Sequence, residues 1–264
     1  MKKSQVAKKE PVILVTNDDS VAAPGIHALV EAAKGLGRVV VVAPDKPQSG
    51  MGHAITINQP LRLSPVPYFG DDIEAWQVNG TPVDCVKLAV DRVIKGHPTI
   101  CVSGINHGAN HSINVIYSGT MSAALEAGVE GIPSIGFSLL DYSLEADFSG
   151  AQAYATKIMK TLLSLEHIDK HTCLNVNIPA VPESLINGVK VCRQAYGKYE
   201  EHFDERKDPS GKKYYWLTGA FVNNDKEKDT DVWALENNYI SVVPVTFDMT
   251  NYPLKEKLAK SFKF

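Results

Sequence analysis

Short apolar runs rich in β-branched residues alternate with segments of helical period, and this alternation constrains the chain more than any other feature. VILVT (12–16), VVVVAP (39–44), TICVSGI (99–105), IPSIGFS (132–138) and CLNVNIP (173–179) have the length and composition of buried strands. Between the first two, Pro24 opens a segment with Ile26, Leu29, Val30 and Ala33 on one face, and Gly35 and Gly37 end it. Thr81-Pro82 supplies a cap and first turn for a helix with an apolar stripe at Val83, Val86, Val90 and Val93. Further helices are predicted through Met121, Ala124, Leu125 and Gly128, and over 148–167. Strands that are apolar throughout and separated by helices indicate an α/β fold, with a mostly parallel sheet covered on both faces. Residues 60–80, broken by Pro60, Pro65, Pro67 and Gly70, are expected to form short strands and loops.

The last third differs. Residues 196–218 are rich in Tyr, Lys, Glu and Asp and contain the turn signal DPSG, which predicts a long β-hairpin arm. Tyr214, Tyr215 and Trp216 give that arm a surface for another subunit. Thr230-Asp231 caps a short helix before the strand YISVVPV (239–245). The whole of 1–264 is expected to be one domain, with 1–11 as a loose tail.

Charge and composition exclude several classes of function. Lys and Arg total 27 against 30 Asp and Glu, a net −3, which disfavours a general nucleic-acid binder. No apolar run reaches the roughly 18 residues needed to span a membrane. The N-terminal MKKSQVAKKE lacks the apolar core of a secretory signal. Cys85, Cys101, Cys173 and Cys192 form no C-x-x-C pair and lie in apolar stretches, as expected for free thiols in a reducing cytoplasm.

In a doubly wound sheet, ligands bind outside the carboxyl ends of the strands. Asn17-Asp18-Asp19 follows the first strand, and Gln48-Ser49-Gly50 lies beyond the second. Ser103-Gly104-Ile105-Asn106 ends the third, and Ser118-Gly119-Thr120 begins the next helix. These oxygen donors suit a hard divalent cation, Mg²⁺ or Mn²⁺, although an Asp-Asp pair also serves as a turn or helix cap. Ser118-Gly119-Thr120 suits either a phosphate at a helix N-terminus or an ordinary cap. His53, His107 and His111 lie near these loops, as acid or phosphate contacts or as packed imidazoles. His167 and His171 read as surface residues.

Together, VILVTNDD, APG at 23–25, VVVVAPDKPQSGMGHAIT, VNGTPVDCVKLA, VSGINHGAN and YSGTMSAALEAGVEGIPSIGFS resemble the SurE family of metal-dependent 5′/3′-nucleotidases. The resemblance implies a three-layer αβα, Rossmann-like fold. It implies hydrolysis of nucleoside monophosphates, with other monoesters or polyphosphate as further substrates. Asp18, Asp19, Ser49 and Asn106 match the ligands of one divalent cation per subunit, and Asp18 and Asp19 the catalytic positions. Asn17, Gly50, Ser103, Gly104, Ser118, Gly119 and Thr120 match the phosphate-binding surroundings. Family members assemble as dimers or tetramers and exchange a C-terminal arm.

The chain departs from the family pattern twice. It has Asp-Asp-Ser-Val at 18–21 in place of Asp-Asp-Gly-Ile, and His111-Ser112 where the family often has glycine. Three other readings are an aspartyl-phosphate phosphatase, a nucleotide-sensing module without turnover, and a structural oligomer. Adjacent carboxylates, unlike D-x-D spacing, disfavour the first. A pure anion binder rarely places two carboxylates beside its phosphate, and the arm alone does not account for the strand-end cluster.

Overall fold

The structure, a computed structural model, describes residues 10–143 and 145–262. The tail expected over 1–11 lies almost wholly outside them. Leading from the N-terminus are β1 (Val12–Thr16), α1 (Pro24–Ala33), β2 (Arg38–Pro44), β3 (Leu63–Pro65), β4 (Glu74–Val78) and α2 (Pro82–Leu88). A π-helical turn, Ala89–Val93, extends α2. Next come β5 (Ile100–His107), α3 (Asn114–Tyr117), α4 (Gly119–Val129), β6 (Ser134–Leu139), α5 (Ser149–Ser164) and β7 (Cys173–Ile178). The chain continues with β8 (Val189–Val191), β9 (Gly197–Lys207), β10 (Lys213–Asn223), α6 (Asp231–Glu236), β11 (Ile240–Val245) and α7 (Tyr252–Ser261).

The described residues form a nine-stranded sheet in the order β3-β4-β2-β1-β5-β6-β7-β11-β8. Its central pairs, from β4 to β7, are parallel, while β3 and β11 run antiparallel to β4 and β7. Alternation along each strand feeds two cores. Ile13 and Val15 of β1 pack with Ile26, Leu29, Ala155 and Met159, under α1 and α5. Leu14, between them, packs with Val86, Ala123 and Ala127, under α2 and α4. The result is the expected αβα sandwich. All four cysteines are buried and free.

Element ends depart from expectation for local reasons. Pro133 has no N–H to give a ladder, so β6 begins at Ser134, while the Pro133 carbonyl accepts from the Cys101 N–H at 2.9 Å. Helix α5 stops at Ser164, which leaves His167 beyond it and exposed, as expected. The hairpin pairs Gly197 with Asn223 at its base and Lys207 with Lys213 at its tip. It is therefore longer than the 196–218 read from the sequence. At the tip, the Asp208 carboxylate accepts from the N–H groups of Ser210 and Lys212. The Lys-rich C-terminus, for which the sequence suggested no element, forms α7. Asn251 caps it, and none of its side chains is buried.

From β1 the chain winds outward through β2 to β4, then crosses back to β5 on the other side of β1. The winding direction thus reverses between β1 and β5, and a crevice opens outside their carboxyl ends. The Asn17–Asp19 and Ser103–Asn106 segments sit at that reversal.

Candidate active site

Four loops converge there. Asp18 is buried, and its Oδ1 accepts the Thr120 hydroxyl at 2.5 Å. Thr120 Oγ1 also lies 3.3 Å from Asn106 Oδ1. The Asn106 amide is fixed from its other end, because Nδ2 donates to the carbonyls of His107 (3.2 Å) and Gly108 (2.8 Å). Its oxygen is therefore turned toward Thr120 and Asp18. Asp19 Oδ2 accepts the His107 backbone N–H at 3.2 Å. The Gln48 N–H donates to the Asp18 carbonyl at 2.7 Å, which ties the Gln48–Gly50 loop to the backbone after β1 and leaves Ser49 exposed.

Gly119 is required by this arrangement. A Cβ there would lie 2.7 Å from Asp18 Cβ and 2.8 Å from Asp18 Oδ2. Gly50 has a different reason: a Cβ would meet nothing within 4 Å, but its φ is +74°. At Gly104 (φ +123°) a Cβ would lie 2.3 Å from the Phe137 carbonyl oxygen, so that glycine permits close packing of β5 on β6. Ser118 caps α4 by accepting from the Met121 N–H at 3.0 Å. Asn17 donates Nδ2 to the Ser20 carbonyl at 2.7 Å, while its buried Oδ1 and the buried Ser103 hydroxyl have no hydrogen-bond partner.

The carboxyls are electrostatically strained. Burial, with the neighbouring Asp19 charge, pushes Asp18 up from 3.8 to about 6, against the opposing hydrogen bonds from Thr120. Burial also raises Asp19, although the His107 N–H and ring favour its charge. No lysine or arginine offsets either carboxylate among the described residues. No cluster of three or more His, Cys, Asp or Glu side chains is placed to hold a metal among them either. Two carboxylates, the Asn106 amide oxygen and hydroxyls instead form an all-oxygen donor set, which fits a hard divalent cation and not zinc. The unpartnered Asn17 Oδ1 beside this set agrees with that fit.

Both departures from the family pattern take the left-handed backbone that favours glycine, with φ +94° at Ser20 and +52° at Ser112. Ser112 compensates through its hydroxyl, which donates to the Ala195 carbonyl (2.9 Å) and accepts the Gly197 N–H (3.0 Å). Buried Asp231 accepts from the N–H groups of Ser112 and Ala195, tying the 109–113 loop to the base of the arm. The same loop rests on an amide network. Asn110 donates its N–H to Asn177 Oδ1 at 2.8 Å and its Nδ2 to Ser138 Oγ at 2.8 Å, and accepts at its carbonyl from Asn175 Nδ2 at 2.7 Å.

The histidines divide. His107 packs edge-on against Phe148 and offers Asp19 its backbone. His111 packs against Phe221 of the arm, and burial lowers its pKa. His53 is drawn away to Glu126 Oε2 at 2.8 Å. Sequence reasoning missed Glu126, a buried carboxylate in α4 that also pairs with Lys87. Its signal was a lone charge among the small apolar residues of AALEAGV.

Residues 13–201 match the family model described as "Survival protein SurE". A "5'-nucleotidase SurE" of Flavobacterium psychrophilum is 58% identical over 241 residues, covering 91% of this chain and 93% of that protein. A "5'-nucleotidase SurE" of Natranaerobius thermophilus is 44% identical over 252 residues, covering 94% of this chain and 97% of its own length. The crystal structure of the SurE protein from Aquifex aeolicus superposes with a TM-score of 0.82 at 39% identity, covering 96% of this chain and all of that one. With the motifs in order along the fold and the matching architecture around them, the chain belongs to the SurE family.

Proposed function

We propose that this protein is a 5′-nucleotidase that hydrolyses nucleoside monophosphates to nucleoside and phosphate. One divalent cation per subunit, Mg²⁺ or Mn²⁺, would be held by Asp18, Asp19, Ser49 and Asn106. The observation that carries the reading is the convergence of Asp18, Asp19, Asn106 and Thr120 at the sheet reversal, in a chain whose relatives bear the name 5′-nucleotidase. Activity on 3′-monophosphates, other monoesters and polyphosphate belongs to the same proposal.

When bound, the cation would offset charge on the phosphoryl oxygens. The remaining work falls to the chain. Ser118, Gly119 and Thr120 at the start of α4 would hold the phosphoryl group, aided by the positive end of the helix. Asn17, Gly50, Ser103 and Gly104 would shape the surrounding wall. Asp18 or Asp19 would orient the attacking water in line with the leaving oxygen. Thr120 would keep Asp18 ionised and directed. The whole chain would act as one unit, with the hairpin as an oligomerisation arm joining two or four copies. No helix among the described residues is long and apolar enough to cross a membrane. Four buried free thiols support a reducing, cytoplasmic setting.

Phosphate release from 5′- and 3′-nucleotides, measured with Mn²⁺, Mg²⁺ or EDTA, tests this reading. Asp18→Asn is expected to lower kcat/KM by about 100- to 1,000-fold. Unchanged turnover in that variant would refute the assignment. Saturable nucleotide binding without phosphate release would favour a sensing module.

A further inference from the structure

Tyr142 lies just beyond β6, on the edge of the sheet that carries the candidate active site. Its ring rests on the backbone of Gly108, where an added Cβ would come within 2.3 Å of the Tyr142 Cε1. Gly108 itself has φ +96°. The Tyr142 hydroxyl accepts the Ala109 N–H at 3.2 Å. Gly108 in turn gives its carbonyl to Asn106 Nδ2 at 2.8 Å. The ring is therefore linked through one residue to the amide turned toward Asp18.

A side chain held at both its ring and its hydroxyl would ordinarily be buried. Tyr142 is instead 74% exposed. A ring fixed on one side and open on the other gives a planar heteroaromatic group a surface to stack on, at little entropic cost. Every nucleobase has such a face, whereas a sugar or glycerol phosphate does not.

We propose that Tyr142 is the stacking platform for the substrate's nucleobase, set beside the phosphate site by Gly108 and Ala109. The inference rests on the nucleotidase reading above. It makes Tyr142 a specificity determinant for nucleotides over monoesters that lack a base.

The test compares kcat/KM for AMP and for ribose 5-phosphate, with Mn²⁺, in the full-length protein. Tyr142→Ala is expected to lower the AMP to ribose 5-phosphate ratio by about 5- to 150-fold, mostly through KM for AMP. Tyr142→Phe keeps the ring and is expected to hold the ratio within about threefold of wild type. Tyr117, an exposed aromatic immediately before Ser118, serves as comparator. A ratio that survives Tyr142→Ala, or that falls in Tyr117→Ala instead, overturns the platform while AMP turnover by wild type upholds the nucleotidase. Wild-type protein that hydrolyses neither ester defeats both.

Discussion

The Thr120 hydroxyl lies 2.5 Å from Asp18 Oδ1, joining the start of α4 to the end of β1 across the sheet reversal. That hydrogen bond opposes the burial that would otherwise neutralise Asp18. Thr120→Val preserves volume and removes the donor. Cation affinity is expected to fall about 10- to 100-fold, as when a group orienting a ligand is lost. Calorimetric titration with Mn²⁺ checks this, and an unchanged Kd would sink it.

The raised Asp18 also sets the pH dependence of stability. Its folded value is about 6 against 3.8, so the fold favours the protonated form. In cation-free protein that contribution is fully present below 3.8 and is lost as pH rises through 6, a change of roughly 3 kcal/mol. A cation needs the ionised carboxylate. The rise in Tm produced by saturating Mn²⁺ should therefore be larger at pH 7.5 than at pH 5. Equal shifts at the two pH values would contradict this account.

Ser20 and Ser112 predict opposite results from the same change. Ser20 sits at φ +94° and its hydroxyl receives only the Ala22 N–H, at 3.2 Å. Ser20→Gly relieves the left-handed strain and is expected to stabilise by about 0.5–1 kcal/mol. Ser112→Gly also relieves strain but removes the hydroxyl that bridges Ala195 and Gly197, and is expected to destabilise by about 1 kcal/mol. Urea denaturation of both variants reads the signs directly.

The arm exposes Phe203, Tyr215, Trp216 and Leu217, each more than half accessible. Replacing 198–222 with a short Gly/Ser turn is expected to reduce the number of copies per particle, read as the light-scattering mass divided by the mass of one shortened chain. An unchanged copy number would separate the arm from assembly.

The sheet was legible because its strands are apolar on both faces. Ile13, Leu14 and Val15 read as a continuous run precisely where both layers press on β1. The polar groups at the carboxyl ends of those strands were legible for the same reason: nothing but a turn or a site follows such a run. The ends of the hairpin were not, since Ala220–Asn223 carries no turn signal and its strand character comes from pairing with 197–200. Helix α7 was hidden among lysines, without a buried face to give it a stripe. The support of the site was equally silent. The contacts of Tyr142 with Gly108 and of His53 with Glu126 join residues far apart in the chain, and local patterning does not encode them.

The asparagine network beneath the 109–113 loop has a consequence for any rate measured against pH. Asn110, Asn175 and Asn177 hold the Asn110 end of that loop through their amides, and an amide neither gains nor loses a proton across the working range of an enzyme. That end of the loop is silent to titration, whereas the Ser112 end is held by the Asp231 carboxylate and adjoins His111, the imidazole through which the loop would answer a change of pH.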